Sequence, residues 1–473
     1  MLKLSLDEIV KATKGKLLLN NNNKEVEYIS TSSKDIKENT LFIPIKGEKY
    51  DGHAFLEDAY NNGCRIFLID KNHEFYKKDI SLIEVNDTLL ALGSLARFYL
   101  DKFNVDLIGV TGSVGKTSTR DIIYSVLNEK YKTLKNELNY NNEIGIPKTL
   151  FNLDYSYEKA VIEMGIDKKG DISYFKTIAP LKHAVISNIG LSHIANFKNQ
   201  EGIFHAKMEI AKDFNKENTL IVNGDDNFLK TLKDKKLPYN LLTYGFDEDN
   251  TIYCVSYEIV NGKINFKVNF KNKIYDYTIP SIAKHNIYNA MSAILIGNLY
   301  NLTYEEIKKG LESVSFTEGR LTIINKKDIT IINDCYNASL DSIKSALNVL
   351  STFKTRKVAI LGDVLETGSY EEEIHKNIGK SIIGNTDILI LVGDSIKYTY
   401  DEVIKNDFNK DNIYVFNTYE DVIKNIDNII KKGDTILLKA SHGIKLSNVV
   451  EYLDKTYENQ LWFSFRRNFK IVR

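Results

Sequence analysis

A glycine-rich loop between an apolar run and a helical segment constrains this chain more than any other feature. The run Val105–Val110 has a strand-like pattern and leads directly into the loop Thr111–Thr119. A helical pattern over Arg120–Leu127 follows. The order of strand, glycine-rich loop and helix is typical of a phosphate-binding loop. A triphosphate is the ligand that this arrangement suits.

Each residue type in the loop suits phosphate binding for its own reason. Gly112 and Gly115 let the backbone turn so that successive N–H groups point inward, and the following helix adds the positive end of its dipole. Lys116 supplies a point charge, and the Thr117 hydroxyl suits magnesium. The spacing departs from the usual one, because Val110 lies five positions before Gly115 and the extra glycine is Gly109. The alternative is a glycine turn with an incidental lysine, which the order of strand, loop and helix disfavours. The residues that these arguments select are Gly112, Gly115, Lys116 and Thr117.

Length and charge limit the classes of protein that fit. At 473 residues the chain is too long for one hydrophobic core, and we expect about three domains. Its 63 basic residues balance its 63 acidic residues, and 43% of all residues are hydrophobic. Because there is no basic excess, we expect the loop to bind a nucleotide and predict no nucleic-acid partner.

The number and spacing of the cysteines, together with hydropathy, predict the cellular location of the protein. Cys64, Cys254 and Cys335 lie far apart, form no C-x-x-C pair and are odd in number, which is typical of reducing cytosol. The sequence has no uncharged apolar stretch of about 18 residues, and its amino terminus lacks the apolar run of a signal peptide. We therefore predict a cytoplasmic protein without membrane insertion, and we expect a monomer.

Alternating strand and helix patterns predict an α/β fold of three domains. Residues 1–85 read as a small α/β unit, residues 86–318 as a central, largely parallel sheet covered by helices, and residues 319–473 as a Rossmann-like layer. Hairpin-like alternation over 251–279, with Asn261-Gly262 at a turn, interrupts the central pattern. Besides a helix at Ala54–Asn61, the expected strands are Leu41–Ile45, Arg65–Ile69, Ala160–Glu163, His183–Ser187, Thr219–Val222, Ile329–Ile332, Val358–Gly362, Ile388–Gly393 and Thr435–Leu438.

Three polar residues beyond the loop are candidates for the chemistry. Glu163 ends a strand where a nucleotide-binding sheet usually presents its second magnesium-side ligand, although a water-facing acid fits equally well. His193 follows the next strand on the edge where ligands gather, although most single histidines are structural. Lys207 lies in a helical segment, and its ordinary interpretation is a solvated surface charge.

In this order the motifs resemble those of the Mur ligase family, the ATP-dependent amide ligases that build the peptide stem of peptidoglycan. The resemblance covers roughly residues 28–452. Within the family it is strongest to the member that joins D-alanyl-D-alanine to UDP-N-acetylmuramoyl-tripeptide. The segments that carry it are Lys46–His53, Asn139–Pro147, Ala160–Gly165, Asn188–Glu209, Asn333–Ala338 and Leu361–Glu366.

The resemblance implies catalytic and metal-binding roles. The residues that would hold the ATP phosphates are Gly112, Ser113, Val114, Gly115, Lys116, Thr117 and Ser118. Thr117 and Glu163 would coordinate one magnesium ion, and His193 would approach a second. Lys207 would be carbamylated, which turns a cation into an anion that helps to bind metal and to position the γ-phosphate. The amine of Lys207 must be neutral when it meets carbon dioxide. With Lys116, the residues Lys207 and His193 form the expected catalytic set.

The resemblance also implies contacts with the rest of the nucleotide and with the other substrates. Asn286 and Asn289 would lie on the adenine side, Arg320 at a hinge, and Asp334 and Tyr336 on the nucleotide-facing side of the closing third domain. The first domain would bind the UDP-muramyl substrate, and the third domain would bind the incoming dipeptide. The expected substrate-binding residues are Ser32, Ser33, Lys46, Asn141 and Asn142.

The chain departs from the family pattern at several positions. Thr31–Lys34 replaces an Asp-Ser-Arg-like signature at the uridine end, so an arginine contact is missing. Ser339–Asp341 replaces Asn-Pro-Asp, and Ala440–His442 replaces a glycine-serine-arginine stretch, where His442 lacks the permanent charge of arginine. The basic, aromatic segment Trp462–Lys470 is expected to be a packed or mobile terminus rather than a membrane contact.

The implied reaction activates a carboxylate with ATP in the synthesis of peptidoglycan precursors. The tripeptide carboxylate attacks the γ-phosphate to give an acyl phosphate, the amine of D-alanyl-D-alanine adds to its carbonyl, and phosphate leaves. One alternative is a relative that adds a different amino acid, including glutamate ligation to a folate. Others are a P-loop switch, which would not need Lys207, and a silent scaffold, which could lose Glu163 and His193.

Overall fold

The computed structural model describes residues 1–21, 25–47 and 50–458. The predicted α/β class is confirmed, and the chain divides into two compact units. The first unit comprises Met1–Ile189, Asn199–Ser281 and Asn286–Ser315; the second comprises Gly190–Lys198, Ile282–His285 and the chain from Phe316 onward. The domain boundaries at 85 and 318 remain predictions.

Two sheets form at the amino-terminal end of the first unit. A five-stranded sheet has the order β2-β7-β6-β5-β4, in which only β2 is antiparallel to its neighbour, and β1 pairs with β3. The elements are β1 (Leu4–Ser5), α1 (Leu6–Thr13), β2 (Lys16–Leu19), β3 (Glu25–Val26), β4 (Tyr28–Ser30), β5 (Thr40–Phe42), α2 (Leu56–Asn61), β6 (Ile66–Asp70), β7 (Ser81–Val85) and α3 (Thr88–Leu100). The expected strand Leu41–Ile45 ends early at Phe42, because Pro44 has no N–H for the ladder.

A nine-stranded sheet forms the rest of the first unit, in the order β16-β15-β14-β13-β12-β11-β8-β10-β9. Its strands are β8 (Asp106–Thr111), β9 (Thr133–Lys135), β10 (Lys159–Glu163), β11 (His183–Ile186), β12 (Thr219–Asn223), β13 (Asn240–Gly245), β14 (Ile252–Val260), β15 (Lys263–Phe270) and β16 (Lys273–Ile279). Its helices are α4 (Lys116–Leu127), α5 (Gly145–Leu150), α6 (Asp171–Ile178), α7 (Gln200–Met208), α8 (His285–Leu299) and α9 (Tyr304–Glu312). All pairs from β9 to β14 are parallel, as predicted.

The antiparallel extension of this sheet confirms the predicted hairpin. Strands β14, β15 and β16 pair in sequence as a meander. Asn261 and Gly262 both have positive φ, at 52° and 76°, which is the backbone that a two-residue hairpin turn requires.

The order of the central strands brings three loops together. Strand β8 lies between β10 and β11, with Glu163 paired to Val110 and Ile186 paired to Thr111. The carboxyl ends of these parallel strands therefore share one edge, the place where such sheets bind ligands. The glycine-rich loop, Glu163 and the residues after Ile186 all meet there.

The second unit contains a six-stranded sheet of order β17-β18-β22-β19-β20-β21, antiparallel only between β17 and β18. The elements are β17 (Thr322–Asn325), β18 (Thr330–Asn333), α10 (Leu340–Ser351), β19 (Lys357–Gly362), α11 (Glu371–Ile382), β20 (Ile388–Val392), α12 (Ile396–Lys405), β21 (Ile413–Phe416), α13 (Tyr419–Asn425), β22 (Thr435–Lys439) and α14 (Ser447–Thr456). Its core is rich in isoleucine, leucine and valine from the parallel strands. The predicted strands of this region are confirmed, with small shifts at their ends.

Candidate functional site

The glycine-rich loop has the backbone shape that phosphate binding requires. Gly112 has φ +153° and Gly115 has φ +83°, which are conformations that other residues rarely adopt. A side chain at Gly112 would also collide with the Ser187 hydroxyl. Helix α4 begins at Lys116, and its N-cap residue is Gly115, which forms no side-chain cap. The start of a helix carries backbone N–H groups that suit an anion.

The residues that follow β11 hold the loop in place. The Asn188 side chain accepts a hydrogen bond from the Val114 N–H at 2.9 Å and donates one to the Val114 carbonyl at 2.8 Å. The Ser187 hydroxyl donates to the same carbonyl at 2.6 Å, and the Ser113 N–H donates to the Asn188 carbonyl at 3.0 Å. Sequence reasoning did not assign a role to Asn188, although it opens the segment of family resemblance that contains His193.

We expect Asn188→Ala to weaken binding of Mg·ADP about tenfold, because the Val114 N–H would lose its acceptor and the Ser187 hydroxyl would hold the Val114 peptide without Asn188. Isothermal titration calorimetry measures this affinity, and thermal unfolding checks the fold. Asn298→Ala is the control, since the Asn298 amide donates only locally, to the Ile294 carbonyl. Equal ADP affinity in both variants and the wild type would show that Asn188 does not shape the site.

Lys116 lies over the loop that precedes it. Its ammonium donates to the Gly112 carbonyl at 2.9 Å and lies 3.4 Å from the Ser113 carbonyl. A cation held above inward-pointing N–H groups is placed to attract phosphate oxygens.

The structure brings Glu163 and Thr117 together, and their role as magnesium ligands, which the family resemblance implies, remains a prediction. The Thr117 hydroxyl donates to Glu163 Oε2 at 2.9 Å, and the Asn141 amide donates to Glu163 Oε1 at 2.9 Å. The backbone N–H and carbonyl of Glu163 are both bonded to the Asn136 side chain. Glu163 is only 2% exposed, so it is not a water-facing acid. A hydroxyl and a carboxylate at this distance fit the hard oxygen ligands that magnesium requires.

Lys207 is buried rather than solvated. It lies near the end of α7 and is 2% exposed. Burial, together with the nearby charge of Lys116, holds the pKa of the Lys207 amine well below its usual value of 10.5. None of the residues that the structure describes forms a hydrogen bond or ion pair with this amine. A buried amine without an anion favours the neutral form, which is the form that reacts with carbon dioxide.

Lys207→Met is expected to stabilise the protein by about 1 kcal/mol or more at neutral pH in carbon-dioxide-free buffer, because burial of the unmodified lysine is unfavourable. Folding lowers the pKa of Lys207. Below that lowered pKa, the buried lysine reduces the free energy of unfolding by its full amount. The effect disappears as pH rises toward 10.5. Urea unfolding of both proteins across this pH range measures the difference, and a less stable methionine variant at neutral pH would contradict it.

Asn286 and Asn289 form a polar chain beside the loop. The Thr119 hydroxyl donates to Asn289 Oδ1 at 3.0 Å, Asn289 Nδ2 donates to Asn286 Oδ1 at 2.9 Å, and Asn286 Nδ2 donates to the Ser281 hydroxyl at 2.8 Å. Asn289 also lies next to Gly115. Both asparagines therefore lie close to the start of α4, and their adenine contacts remain a prediction.

Three residues predicted to face the nucleotide lie close together in the second unit. The Arg320 guanidinium stacks over the Tyr336 ring at 4.0 Å, and Asp334 accepts a hydrogen bond from the Leu321 N–H at 3.1 Å. Asp334 also forms a buried ion pair with Lys439 at 2.6 Å. Sequence reasoning missed Lys439, which ends β22 directly after three apolar residues.

His193 belongs to the short segment that groups with the second unit. Its backbone is left-handed, with φ 61°, and its Nδ1 lies 3.0 Å from Glu366 Oε2. The structure thus pairs His193 with a carboxylate of the second unit, and its approach to a metal ion remains a prediction.

The predicted substrate-binding residues make mostly local contacts. The Ser32 hydroxyl accepts a hydrogen bond from the Lys34 N–H at 3.3 Å, and the Ser33 carbonyl accepts one from the Asn62 side chain. The backbone of Lys46 forms an isolated antiparallel β-bridge with the backbone of Asp51. The Asn142 side chain accepts a hydrogen bond from the Gly145 N–H at the start of α5, while the Asn141 amide donates one to Glu163. Glu48 and Lys49, within the segment Lys46–His53, lie outside the described residues.

The departures from the family pattern have structural explanations in part. Ser339 caps α10 in a capping box with Ser342, a role that needs a small hydroxyl residue. Ser441 accepts a hydrogen bond from the Leu365 N–H at 2.9 Å, and His442 is exposed. The basic, aromatic segment Trp462–Lys470 lies outside the described residues.

A second group of possible metal ligands lies in the amino-terminal region, where Asp51, His53 and His73 converge. His53 Nε2 accepts a hydrogen bond from the Asp70 N–H at 3.2 Å, so the ring proton is on Nδ1, which donates to Asp51 at 2.7 Å. His53 then has no free nitrogen lone pair for a metal. Its ring stacks on His73 at 3.7 Å, and His73 lies 2.8 Å from Asp70. In this arrangement the cluster joins two loops through hydrogen bonds and ring stacking.

No helix within residues 1–21, 25–47 and 50–458 is long and apolar enough to cross a membrane. The cysteines Cys64, Cys254 and Cys335 are all buried free thiols.

Three family models match the chain. They are the Mur ligase family catalytic domain over residues 25–100, the Mur ligase middle domain over 110–297, and the Mur ligase glutamate ligase domain over 319–442.

Curated relatives and solved structures agree with these models. The chain is 34% identical to the UDP-N-acetylmuramoyl-tripeptide--D-alanyl-D-alanine ligase of Bacillus subtilis, over 96% of this chain and 99% of the relative. A crystal structure of MurF from Acinetobacter baumannii superposes with a TM-score of 0.88 at 26% identity, covering 96% of this chain and all of that chain. MurF from Thermotoga maritima in complex with ADP has a TM-score of 0.80 at 26% identity, over 91% of this chain and 97% of that one.

Both the local resemblance of the motifs and the full-length similarity lead to the same conclusion, and the expectation drawn from the sequence is confirmed. The chain belongs to the Mur ligase family.

Proposed function

We propose that this protein is an ATP-dependent ligase that joins D-alanyl-D-alanine to UDP-N-acetylmuramoyl-tripeptide with release of ADP and phosphate. The observation that carries the proposal is the buried Lys207 amine, held near Lys116 in the unit that also contains the Thr117–Glu163 pair. Burial of a lysine without an anion is unfavourable. Neither a P-loop switch nor a catalytically silent scaffold requires such a residue. The similarity to the Bacillus subtilis ligase supports the choice of substrates.

Lys207 supplies the anion of the site in this proposal. Its neutral amine attacks carbon dioxide, and loss of one proton leaves a carbamate whose two oxygens carry the negative charge. The change of sign matters because a protonated Lys207 would repel both Lys116 and a metal ion. The low pKa and the absence of an anionic neighbour among the described residues support this modification.

Thr117 and Glu163 would hold one magnesium ion, the Lys207 carbamate would help to bind metal, and His193 would approach a second ion. The ions would offset charge on the phosphoryl group and polarise its oxygens. Lys116 and the N–H groups of the loop bind the phosphates and orient the γ-phosphoryl group toward the substrate carboxylate. Protein hydrogen bonds fix both Lys116 and the loop that carries the N–H groups. Little reorganisation is therefore needed when negative charge moves onto the oxygen that joins the β- and γ-phosphates.

The remaining assignments complete the reaction. The tripeptide carboxylate attacks the γ-phosphorus to form an acyl phosphate and ADP. The neutral amine of D-alanyl-D-alanine then adds to the carbonyl carbon, and the tetrahedral intermediate expels phosphate. We assign the uridine end to the region around Ser32, Ser33 and Lys46, with Asn141 and Asn142 nearer the reacting carboxylate.

Asn286 and Asn289 are assigned to the adenine side of the nucleotide, Arg320 to a hinge, and Asp334 and Tyr336 to nucleotide-facing positions of the third domain. Three domains with boundaries near 85 and 318, a monomeric state and a cytoplasmic location complete the proposal. The three reduced, buried cysteines support the location.

A substrate panel tests the proposal. The purified protein is incubated with Mg·ATP, with UDP-N-acetylmuramoyl tripeptide or dipeptide, and with D-alanyl-D-alanine, D-alanine, D-glutamate or L-lysine. We expect phosphate release and an amide product only when the tripeptide and D-alanyl-D-alanine are both present. A product from the dipeptide and a single amino acid would assign the chain to a different Mur ligase reaction, and ATP hydrolysis without any product would contradict ligation.

A further inference from the structure

A cluster of charged residues, Arg120, Asp121 and Lys135, lies next to Glu163. Arg120 and Asp121 follow the phosphate loop on α4, and each is only 1% exposed. Asp121 Oδ1 accepts hydrogen bonds from Arg120 Nη2 at 2.8 Å, from Arg120 Nε at 3.1 Å and from Lys135 Nζ at 2.8 Å. Asp121 therefore fixes the orientation of the Arg120 guanidinium.

Arg120 approaches Glu163 less closely than it approaches Asp121. Its Nη1 lies 3.4 Å from Glu163 Oε2, whereas an unrestrained charge-assisted hydrogen bond is about 2.7–2.9 Å long. The same oxygen of Glu163 accepts the Thr117 hydroxyl at 2.9 Å. Glu163 Oε2, which with Thr117 forms the predicted metal site, thus has Arg120 as a neighbour. The guanidinium stays 3.4 Å away from this oxygen.

The charges explain why a cation is needed there. Glu163 is 2% exposed, and Arg120 is the one cation within ion-pair distance of it among the residues that the structure describes. A buried carboxylate without a nearby positive charge is strongly unfavourable. A divalent ion bound by Glu163 would supply the same compensation, so Arg120 and the ion share one carboxylate.

We propose that Arg120 is a positioning residue that serves as the resident counter-cation of Glu163, and that Asp121 restrains it so that the carboxylate stays available to the metal ion. This inference rests on the proposed function, because it takes Glu163 as a magnesium ligand. The Arg120–Asp121 pair then sets how tightly the divalent ion is held.

The proposal predicts opposite effects for two adjacent residues. Arg120→Met removes a charge that repels the ion and leaves Glu163 uncompensated, so Mn²⁺ binding in the presence of ADP should tighten about tenfold. Asp121→Asn releases Arg120 to pair closely with Glu163, so Mn²⁺ binding should weaken about tenfold. Arg120→Lys keeps the charge and should restore affinity toward the wild-type value.

Lys135→Met is the matched control. Lys135 contacts Asp121 at 2.8 Å and is 17% exposed, but it has no ion pair with Glu163. If the cluster only neutralises Asp121, Lys135→Met and Arg120→Met should act alike. If Arg120 acts on Glu163, Lys135→Met should change Mn²⁺ affinity by less than about twofold, since its charge is farther from the ion and partly screened.

The experiment measures free Mn²⁺ by electron paramagnetic resonance during titration of each full-length variant with saturating ADP. Thermal unfolding with and without Mn²⁺ gives a second readout, and the stabilisation by Mn²⁺ should be larger in Arg120→Met than in the wild type. Changes of the same sign in Arg120→Met and Asp121→Asn, or none in either, would overturn the proposal. If Arg120→Met does not fold, Asp121→Asn decides alone, because unchanged or tighter Mn²⁺ binding would overturn it.

Glu163→Gln separates this inference from the proposed function. Loss of Mn²⁺ binding in Glu163→Gln, without opposite shifts at Arg120 and Asp121, overturns the role of Arg120 only. Wild-type Mn²⁺ binding in Glu163→Gln would overturn the metal-ligand assignment and the inference with it.

Discussion

Lys207→Ala is expected to lower ligase turnover on the order of a thousandfold while the protein stays folded. The wild-type residue is buried, and its amine is held near Lys116 with its pKa well below the usual value. Without the carbamate the site loses an anion that binds metal and orients the γ-phosphate. Steady-state phosphate release with saturating ATP, tripeptide and D-alanyl-D-alanine measures the loss.

Chemical rescue distinguishes a missing anion from a damaged fold. Acetate or formate added to Lys207→Ala should restore part of the turnover, because a small carboxylate can occupy the space of the lost side chain and supply the same charge. Lys212→Ala is the control, since Lys212 is an exposed lysine five positions further along the chain. Near-wild-type activity of Lys207→Ala would refute the carbamate and leave the phosphate loop assignment intact.

Lys116→Ala is expected to reduce turnover on the order of a hundredfold or more. Lys116 is the cation of the phosphate loop, and its ammonium already lies 2.9 Å from the Gly112 carbonyl. Its charge would stabilise the phosphoryl group most strongly in the transition state, so kcat should fall more than the affinity for ATP.

The comparison for Lys116 uses the exposed Lys169. Lys169→Ala should match the wild type in kcat and KM, whereas Lys116→Ala should keep the same unfolding midpoint to within a few degrees. A folded Lys116→Ala enzyme with wild-type kcat would show that the loop does not stabilise the transferring phosphate.

The sequence was sufficient for features that depend on local order. The strand before Gly112, the loop and the helix after it were all predicted, because glycine positions and apolar periodicity act over a few residues. Helix α4 begins at Lys116 and not at Arg120, so its first turn lies within the segment predicted as loop. Glu163 was a candidate because it ends a strand at the ligand-binding edge, whereas the role of Lys207 came from the resemblance to the family. The structure buries Glu163 beside Thr117, and it buries Lys207 without an anion among the described residues.

Features that depend on distant pairing were not predicted. Arg120 and Glu163 are separated by 43 positions in the chain, and Asn188 lies 74 positions from Val114. No periodic pattern encodes such pairs, because they exist only once β8, β10 and β11 have aligned. The short outer strands of the amino-terminal sheet were missed for a related reason. Strand β2 alternates between half-buried and exposed positions over only four residues, which is too weak a signal to distinguish from a loop.

The most direct test follows one oxygen atom through the reaction. UDP-N-acetylmuramoyl-tripeptide carrying oxygen-18 in its terminal carboxylate is incubated with the protein, Mg·ATP and D-alanyl-D-alanine, and the phosphate and the product are analysed by mass spectrometry. If the carboxylate is activated as an acyl phosphate, each amide bond formed should transfer one labelled oxygen into inorganic phosphate. Phosphate without the label, or release of phosphate with no D-alanyl-D-alanine in the product, would contradict the account.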